Sequence, residues 1–322
     1  MAVRGPVNGG GTVCAVTQVD TRGATSSSGL AIWGPLVALW LIWGSTYLNI
    51  AIVGTSMPPM LANGFRFVVA ALVLGGVLVV ARGPRFLAVT REQLRSVAIM
   101  GVALLGVGIG TVSMAERYVP SGVTALLIAV MPLWVILLRM RAGDRPARLT
   151  LIGVAVGMIG LILMLVPGGT RPVSGGDGDV VVWSIALMFS SFCWAFFSYR
   201  STRYVFPRNT LVTTTYEMLF AGAALLGMGA LRGERLHLEQ VSADSWWALG
   251  YLIAASIAGY TAYTWLLAHA PLSLTATYAY VNPVVAVLLG FLIIGEAITT
   301  DVIVGLTVVV GGVALVVTGE RR

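Results

Sequence analysis

Two stretches decide how this chain folds: residues 120–139, PSGVTALLIAVMPLWVILLR, and residues 271–290, PLSLTATYAYVNPVVAVLLG. Laid over one another they agree at Pro120 and Pro271, Thr124 and Thr275, Ala125 and Ala276, Val130 and Val281, Pro132 and Pro283, Leu137 and Leu288, Leu138 and Leu289. Unrelated apolar segments of this length should agree at about two positions, because each common residue makes up roughly a tenth of such a chain. The same displacement lays Trp43 on Trp194 and Gly108 on Gly259, 151 positions apart. Two prolines recurring inside apolar runs are hard to obtain from composition alone. The chain reads as two copies of one unit.

Each copy holds five apolar stretches. They lie near 31–52, 61–81, 94–114, 121–138 and 149–166, then near 180–198, 210–231, 246–268, 275–294 and 301–318. Stretches of about 18 to 23 residues cross roughly 30 Å of hydrocarbon as helices. Five is odd, so the second copy must enter the membrane from the opposite side. The expected fold is therefore an all-α polytopic membrane protein of ten transmembrane helices in two inverted five-helix repeats, an architecture associated with secondary transporters. The expected organisation is a disordered cytoplasmic tail over 1–29, a first repeat over 30–166, a Gly/Pro-rich linker over 167–179 and a second repeat over 180–319. Residues 1–29 are rich in Gly, Thr and Ser and lack the apolar core of a cleaved signal peptide.

Composition agrees. Hydrophobic residues make up 57% of the 322 and charged residues 10%, where soluble domains carry about a quarter charged. Mean hydropathy is +0.90. The net charge of +7 comes from arginine, since the chain has no lysine. With the N-terminus inside, fifteen arginines fall in cytoplasmic segments and only Arg117, Arg171, Arg232 and Arg235 in outer loops. That bias places both termini on the cytoplasmic side of a plasma (cell inner) membrane, with the lipid bilayer and not nucleic acid as the partner of the basic residues. Arginine without lysine also points to a bacterium of high genomic GC.

No catalytic constellation competes. Cys14 and Cys193 sit in different segments and build neither a disulfide framework nor a metal cluster. His237 and His269 lack a metal-binding context, and a P-loop is ruled out without lysine. The expectation is no enzyme activity, no metal, no cofactor and no transport driven by ATP bound to this chain.

Particular motifs resemble a known family. Trp43-Gly44-Ser45-Thr46-Tyr47, Pro58-Pro59 and Asn63-Gly64-Phe65-Arg66-Phe67 look like the opening of an EamA-type domain. Ala115-Glu116-Arg117-Tyr118-Val119-Pro120-Ser121-Gly122-Val123-Thr124-Ala125, followed by Pro132, is similar to its fourth-helix signature. The second copy returns from Pro271 through Asn282-Pro283 to Gly295-Glu296. The resemblance covers about 31–318 and implies the drug/metabolite transporter superfamily: two five-helix repeats that usually export small metabolites or drugs. Asp144-Arg145 stands opposite Gly295-Glu296, and Arg66 opposite Glu217, which depart from a strict repeat.

Aromatic and polar residues in mid-helix need partners away from lipid. Trp43, Tyr47, Asn49, Trp194, Tyr263, Tyr278 and Asn282 are therefore read as lining a substrate cavity; Tyr260 belongs to the same aromatic set. Trp33, Trp183, Trp246 and Trp247 read as interfacial anchors. Arg66 and Glu217 are the ionisable residues deep inside the expected spans, each costing about 3 kcal/mol on insertion scales unless it faces water or a partner. They lie at different depths, which argues against a direct pair. Arg66 is expected at the outer mouth of the cavity or snorkelling to headgroups. Glu217 is expected either to exchange a coupling proton or to fix packing. Pro132 and Pro283 each remove a backbone hydrogen bond, kinking a helix for packing or at the site. The small-residue runs Gly106/Gly110 and Gly153/Gly157/Gly160 serve helix packing or a dimer face, which leaves the oligomeric state open.

The functional expectation is a secondary transporter, an exporter of small molecules by alternating access. The alternative is a non-transporting receptor or assembly subunit, which would bind ligand without flux.

Overall fold

The computed structural model describes residues 29–119, 124, 127–165, 176–289, 292 and 300–320, without the side chains of Leu30, Tyr47, Ala51, Met164, Leu165, Asp177, Ala286, Val287, Asp301 and Val302. The expected tail (to residue 28) and most of the linker lie outside the described residues. Every regular element among the described residues is helical. The first copy contains α1 Gly29–Gly54, α2 Pro59–Arg82, α3 Arg91–Met100, a π-helical stretch Gly101–Ile109, α4 Gly110–Ala115, α5 Met131–Arg141 and α6 Arg148–Leu165. The second contains α7 Asp177–Arg200, α8 Thr210–Leu231, α9 Ala243–His269, α10 Leu272–Thr275, α11 Tyr278–Leu289 and α12 Thr300–Glu320.

Among the described residues seven helices are long and apolar enough to cross a membrane: Ala31–Gly54, Pro59–Arg82, Arg91–Ala115, Gly178–Arg203, Thr210–Leu231, Ala243–His269 and Ile303–Glu320. Arg148–Leu163 is apolar but shorter. The two stretches carrying the matched prolines are described only in part, as α5 and as α10 with α11. Pro132 sits in the first turn of α5, where its missing N–H has no intrahelical partner to lose. Pro283 sits inside α11.

Local chemistry sets the ends. Pro59 opens α2. Thr90 and Gln93 close a capping box on α3. The Ser242 and Asn209 side chains accept backbone N–H groups at the starts of α9 and α8. Gly83 and Gly233, with φ of 83° and 72°, turn the chain just beyond the matched helices α2 and α8.

Helices that hold the same place in the two copies pack on each other: α6 on α12, and α2 on α8. The remaining large contacts come as exchanged pairs. α1 lies along α9, while α7 lies along the π-helical stretch and α4; α1 meets α11, while α7 meets α5. Glycine permits the closest approach. A Cβ on Gly153 would lie 2.6 Å from the Val316 amide nitrogen, and one on Gly160 2.6 Å from that of Val309. The small face of α6 thus meets α12 of the same chain.

Polar ties close both ends of the bundle. At one end the Glu234 carboxylate accepts the Leu61 N–H at 3.0 Å and the Met60 N–H at 3.4 Å, satisfying free donors at the start of α2. At the other end Arg139 donates to Asp144 at 2.6 Å, to Glu320 at 2.9 Å and to Ser273. Glu320 also accepts from Thr150 at 3.1 Å, so α5, α6, α10 and α12 are joined there.

Candidate functional site

The exchanged helix pairs bring Trp43 of α1 and Trp194 of α7 face to edge at the middle of the bundle, ring centroids 5.8 Å apart and planes at 88°. Each indole fits only because a glycine lies opposite. A Cβ on Gly259 would collide with the Trp43 ring, and one on Gly108 with the Trp194 ring. Tryptophan and glycine of each copy are matched by the same displacement, and the fold seats each copy's tryptophan on the other copy's glycine.

Trp43 is the hub of an aromatic cluster. Its centroid lies 4.8 Å from Tyr278, 5.1 Å from Tyr260 and 5.2 Å from Tyr263. The contacts with Tyr278 and Tyr260 are edge-to-face, pairs that add about 0.5–1.5 kcal/mol each beyond area burial, while Tyr263 lies tilted at 33°. Trp194 Nε1 donates to the Tyr263 hydroxyl at 2.7 Å, and that hydroxyl also shares a 2.7 Å bond with Ser198 Oγ. A buried indole N–H and phenol thereby satisfy each other.

A cavity of about 80 Å³ opens beside these rings. Trp43, Trp194, Tyr260, Tyr278, Arg66 and Asn282 line it, with Thr46, Gly108, Ser190 and Ser191. Arg66 Nε donates to Ser256 at 2.7 Å and one Nη to Asn63 Oδ1 at 3.2 Å, while Asn63 Nδ2 reaches Ser113 at 2.9 Å. This network ties α2, α4 and α9 behind the guanidinium. A second cavity, of about 380 Å³, lies at the Arg139 end and is lined by Arg139, Asp144, Ser198, Arg203, Pro271 and Glu320 among others. Ser198 borders the second cavity and Trp194 the first. The bonded set Trp194–Tyr263–Ser198 therefore stands between the two.

The structure brings five of the nine expected site residues to the central cavity: Trp43, Arg66, Trp194, Tyr278 and Asn282. Tyr263 supports it from beneath through Trp194. Asn49 is not in the lining; its Nδ2 bonds back to the Ser45 carbonyl at 3.0 Å. Glu217 is also outside it, buried on α8 and accepting from Thr264 Oγ1 at 3.2 Å. Its carboxylate does not meet Arg66. The Tyr47 side chain lies outside the described residues. Tyr260, Ser190 and Ser191 were not assigned to the site from sequence. Tyr260 carried the mid-helix aromatic signal; the two serines carried none, since a small polar residue fits any helix face. Among the described residues no group of His, Cys, Asp and Glu could hold a metal.

The EamA-like transporter family matches residues 32–166 and again residues 181–318. The chain belongs to that family. As a member it is a membrane transport protein, consistent with the seven apolar spans among the described residues. It is 35% identical over 294 residues to the uncharacterized inner membrane transporter YedA of Escherichia coli (strain K12), covering 90% of this chain and 92% of that one. It is 22% identical over 282 residues to the uncharacterized transporter YoaV of Bacillus subtilis (strain 168), covering 86% and 94%. A solved crystal structure, 21% identical, superposes with a TM-score of 0.74 over 91% of this chain and 98% of its own. That likeness shows a common fold.

Proposed function

We propose that this EamA-like protein is a ten-helix secondary transporter of the bacterial inner membrane. It exports small organic molecules by rocking two inverted repeats, 30–166 and 180–319, about the cavity between Trp43 and Trp194. Both termini face the cytoplasm, as the arginine distribution requires. The relative named as an inner membrane transporter supports the location. The observation that carries the reading is the reciprocal seating of Trp43 on Gly259 and Trp194 on Gly108. A site built from equivalent parts of two copies can open toward either face by the same motion.

At about 80 Å³ the cavity has room for two or three waters, each taking roughly 30 Å³. Pockets for drug-sized ligands measure about 300–1,000 Å³. In this reading the conformation is a contracted one, with Trp194, Tyr263 and Ser198 standing between the cavity and the arginine-rich end. Parting these three joins the cavity to the larger vestibule and admits substrate from the cytoplasm. Glu217 is the coupling residue in this reading: a buried carboxylate bonded to a single threonine, which takes up and releases a proton as the bundle alternates.

Reconstitution in liposomes tests the function. Accumulation of amino acids, sugars, nucleosides and organic ions is measured with and without an imposed pH gradient. Saturable flux of at least one class, stimulated by the gradient, is expected; ligand binding with no flux of any class would sink the transporter reading. For coupling, Glu217→Gln should abolish the stimulation and retain downhill flux. Unchanged stimulation in a normally expressed Glu217→Gln protein removes Glu217 from that role.

A further inference from the structure

Resting on the central cavity as the substrate site, we propose that Arg66 forms an anion subsite there, so that the transported molecule is an organic carboxylate with an apolar or aromatic body. Arg66 is 2% exposed and lines the cavity. A guanidinium carries five N–H donors and cannot shed its charge. The two hydrogen bonds it makes, to Ser256 and to Asn63 Oδ1, go to uncharged oxygens. No carboxylate pairs with it among the described residues. Its counterpart in the other copy, Glu217, is committed to Thr264 and lies outside the lining.

A buried cation without a counter-charge is tolerated where something else supplies one. The geometry favours a carboxylate as that supplement, because the planar fork accepts its two oxygens side by side. Asn282 lines the same cavity, and its Oδ1 has no hydrogen-bond partner among the described residues; as an acceptor it suits an N–H or O–H donor elsewhere on the substrate, and the carboxylate itself is left to Arg66. Trp43, Trp194, Tyr260 and Tyr278, with Ile50, Ile109, Val112 and Ile128, give the cavity an apolar and largely aromatic wall for the body of the substrate. Those rings could also attract a cation. Arg66 opposes that, since repulsion between like charges is several-fold stronger in a site of low dielectric than in water. The aromatic wall and the guanidinium together select an anion with a flat apolar part.

The test uses the full chain purified in detergent and three matched acid and amide pairs: benzoate with benzamide, phenylacetate with phenylacetamide, and indole-3-acetate with indole-3-acetamide. Isothermal titration at neutral pH should show at least one acid binding tenfold or more tightly than its amide. Arg66→Gln should bring the members of that pair within twofold of each other. Ser256→Ala, which frees the guanidinium from one bond and keeps its charge, should retain the preference. A purely structural Arg66 would move both members of a pair together. Equal binding of acid and amide by the wild-type chain overturns the anion subsite and leaves the cavity reading intact, and it needs no variant to fold. Binding of none of the six compounds overturns both.

Discussion

Glycine does two different things in this bundle. Along α6 and α12 it lets backbone touch backbone: a Cβ on Gly312 would lie 2.5 Å from the Gly157 amide nitrogen and 2.8 Å from the Gly153 carbonyl oxygen. At the centre it lets an indole lie against a backbone, at Gly259 under Trp43 and Gly108 under Trp194. The first contact has no side chain that could yield. The second has a ring that can turn, with a cavity beside it. Rigid support and movable site are thus built from the same residue type, and only the identity of the opposing atom separates them.

The largest effect should fall on the rigid pair. Gly312→Ala forces two helix backbones apart, and overpacking costs typically about 1–3 kcal/mol, more where nothing can relax. We expect a loss of about 3 kcal/mol, read as a collapse of the monodisperse peak on heating in detergent. Gly250→Ala on α9, where nothing lies within 4 Å of the new Cβ, is the control and should lose nothing. It gains helix propensity, since glycine is about 1 kcal/mol worse than alanine there. Equal losses in the two variants would erase the comparison.

Next come Gly108→Ala and Gly259→Ala. Each displaces a ring and not a backbone, so the fold should survive with a loss near 1 kcal/mol, the low end of overpacking. Flux in liposomes should fall about tenfold, because the cavity wall itself moves. A flux unchanged within twofold in both variants would mean that the indole positions do not matter to transport.

Much of this difference was legible in the chain beforehand, and some was not. The displacement that lays Trp43 on Trp194 also lays Gly108 on Gly259, which told which residues are equivalent without telling that they cross over. Mid-helix polarity pointed to Trp43, Trp194, Tyr278 and Asn282, which the fold places in the lining of the central cavity, because a polar atom in lipid needs a partner whatever the fold. The same argument admitted Asn49 and Glu217, which satisfy themselves elsewhere, at Ser45 and Thr264. Burial demand tells how deep a group sits and not which way round the helix it faces; in helices apolar on all sides no amphipathic stripe supplies the direction. The π-helical stretch was equally hidden. It places the Glu217 backbone carbonyl against Gly101, a contact fixed by packing and not by local propensity.

A comparable effect on stability, without the loss of flux, is expected between the two cavities. Tyr263→Phe removes the hydroxyl that joins Trp194 to Ser198 and leaves the indole N–H without its partner. One lost hydrogen bond with a buried donor stranded costs about 1–2 kcal/mol. Trp194→Phe made in the Tyr263→Phe background should cost less than in wild type, because the stranded donor is then gone. If the two losses simply add, the pair is not a bonded unit.

The finest test asks whether the two indole seats are equivalent. Double-mutant cycles are run on Trp43→Phe with Gly259→Ala, and on Trp194→Phe with Gly108→Ala, reading unfolding free energy in one detergent. Phenylalanine is smaller than tryptophan, so it should relieve the clash with the new methyl. Each double variant should then be more stable than the sum of its singles predicts. Contacting residues couple by about 0.5–3 kcal/mol, and we expect about 1 kcal/mol in each cycle. The hydrogen-bond environments differ, since Trp194 is held by Tyr263 while no bond of this kind is seen for Trp43 among the described residues. That asymmetry should make the Trp194 cycle the stronger one, by about 0.5 kcal/mol, because a tethered ring turns aside less readily. Coupling in one seat and none in the other would break the equivalence of the two copies at the site while leaving their helix packing untouched.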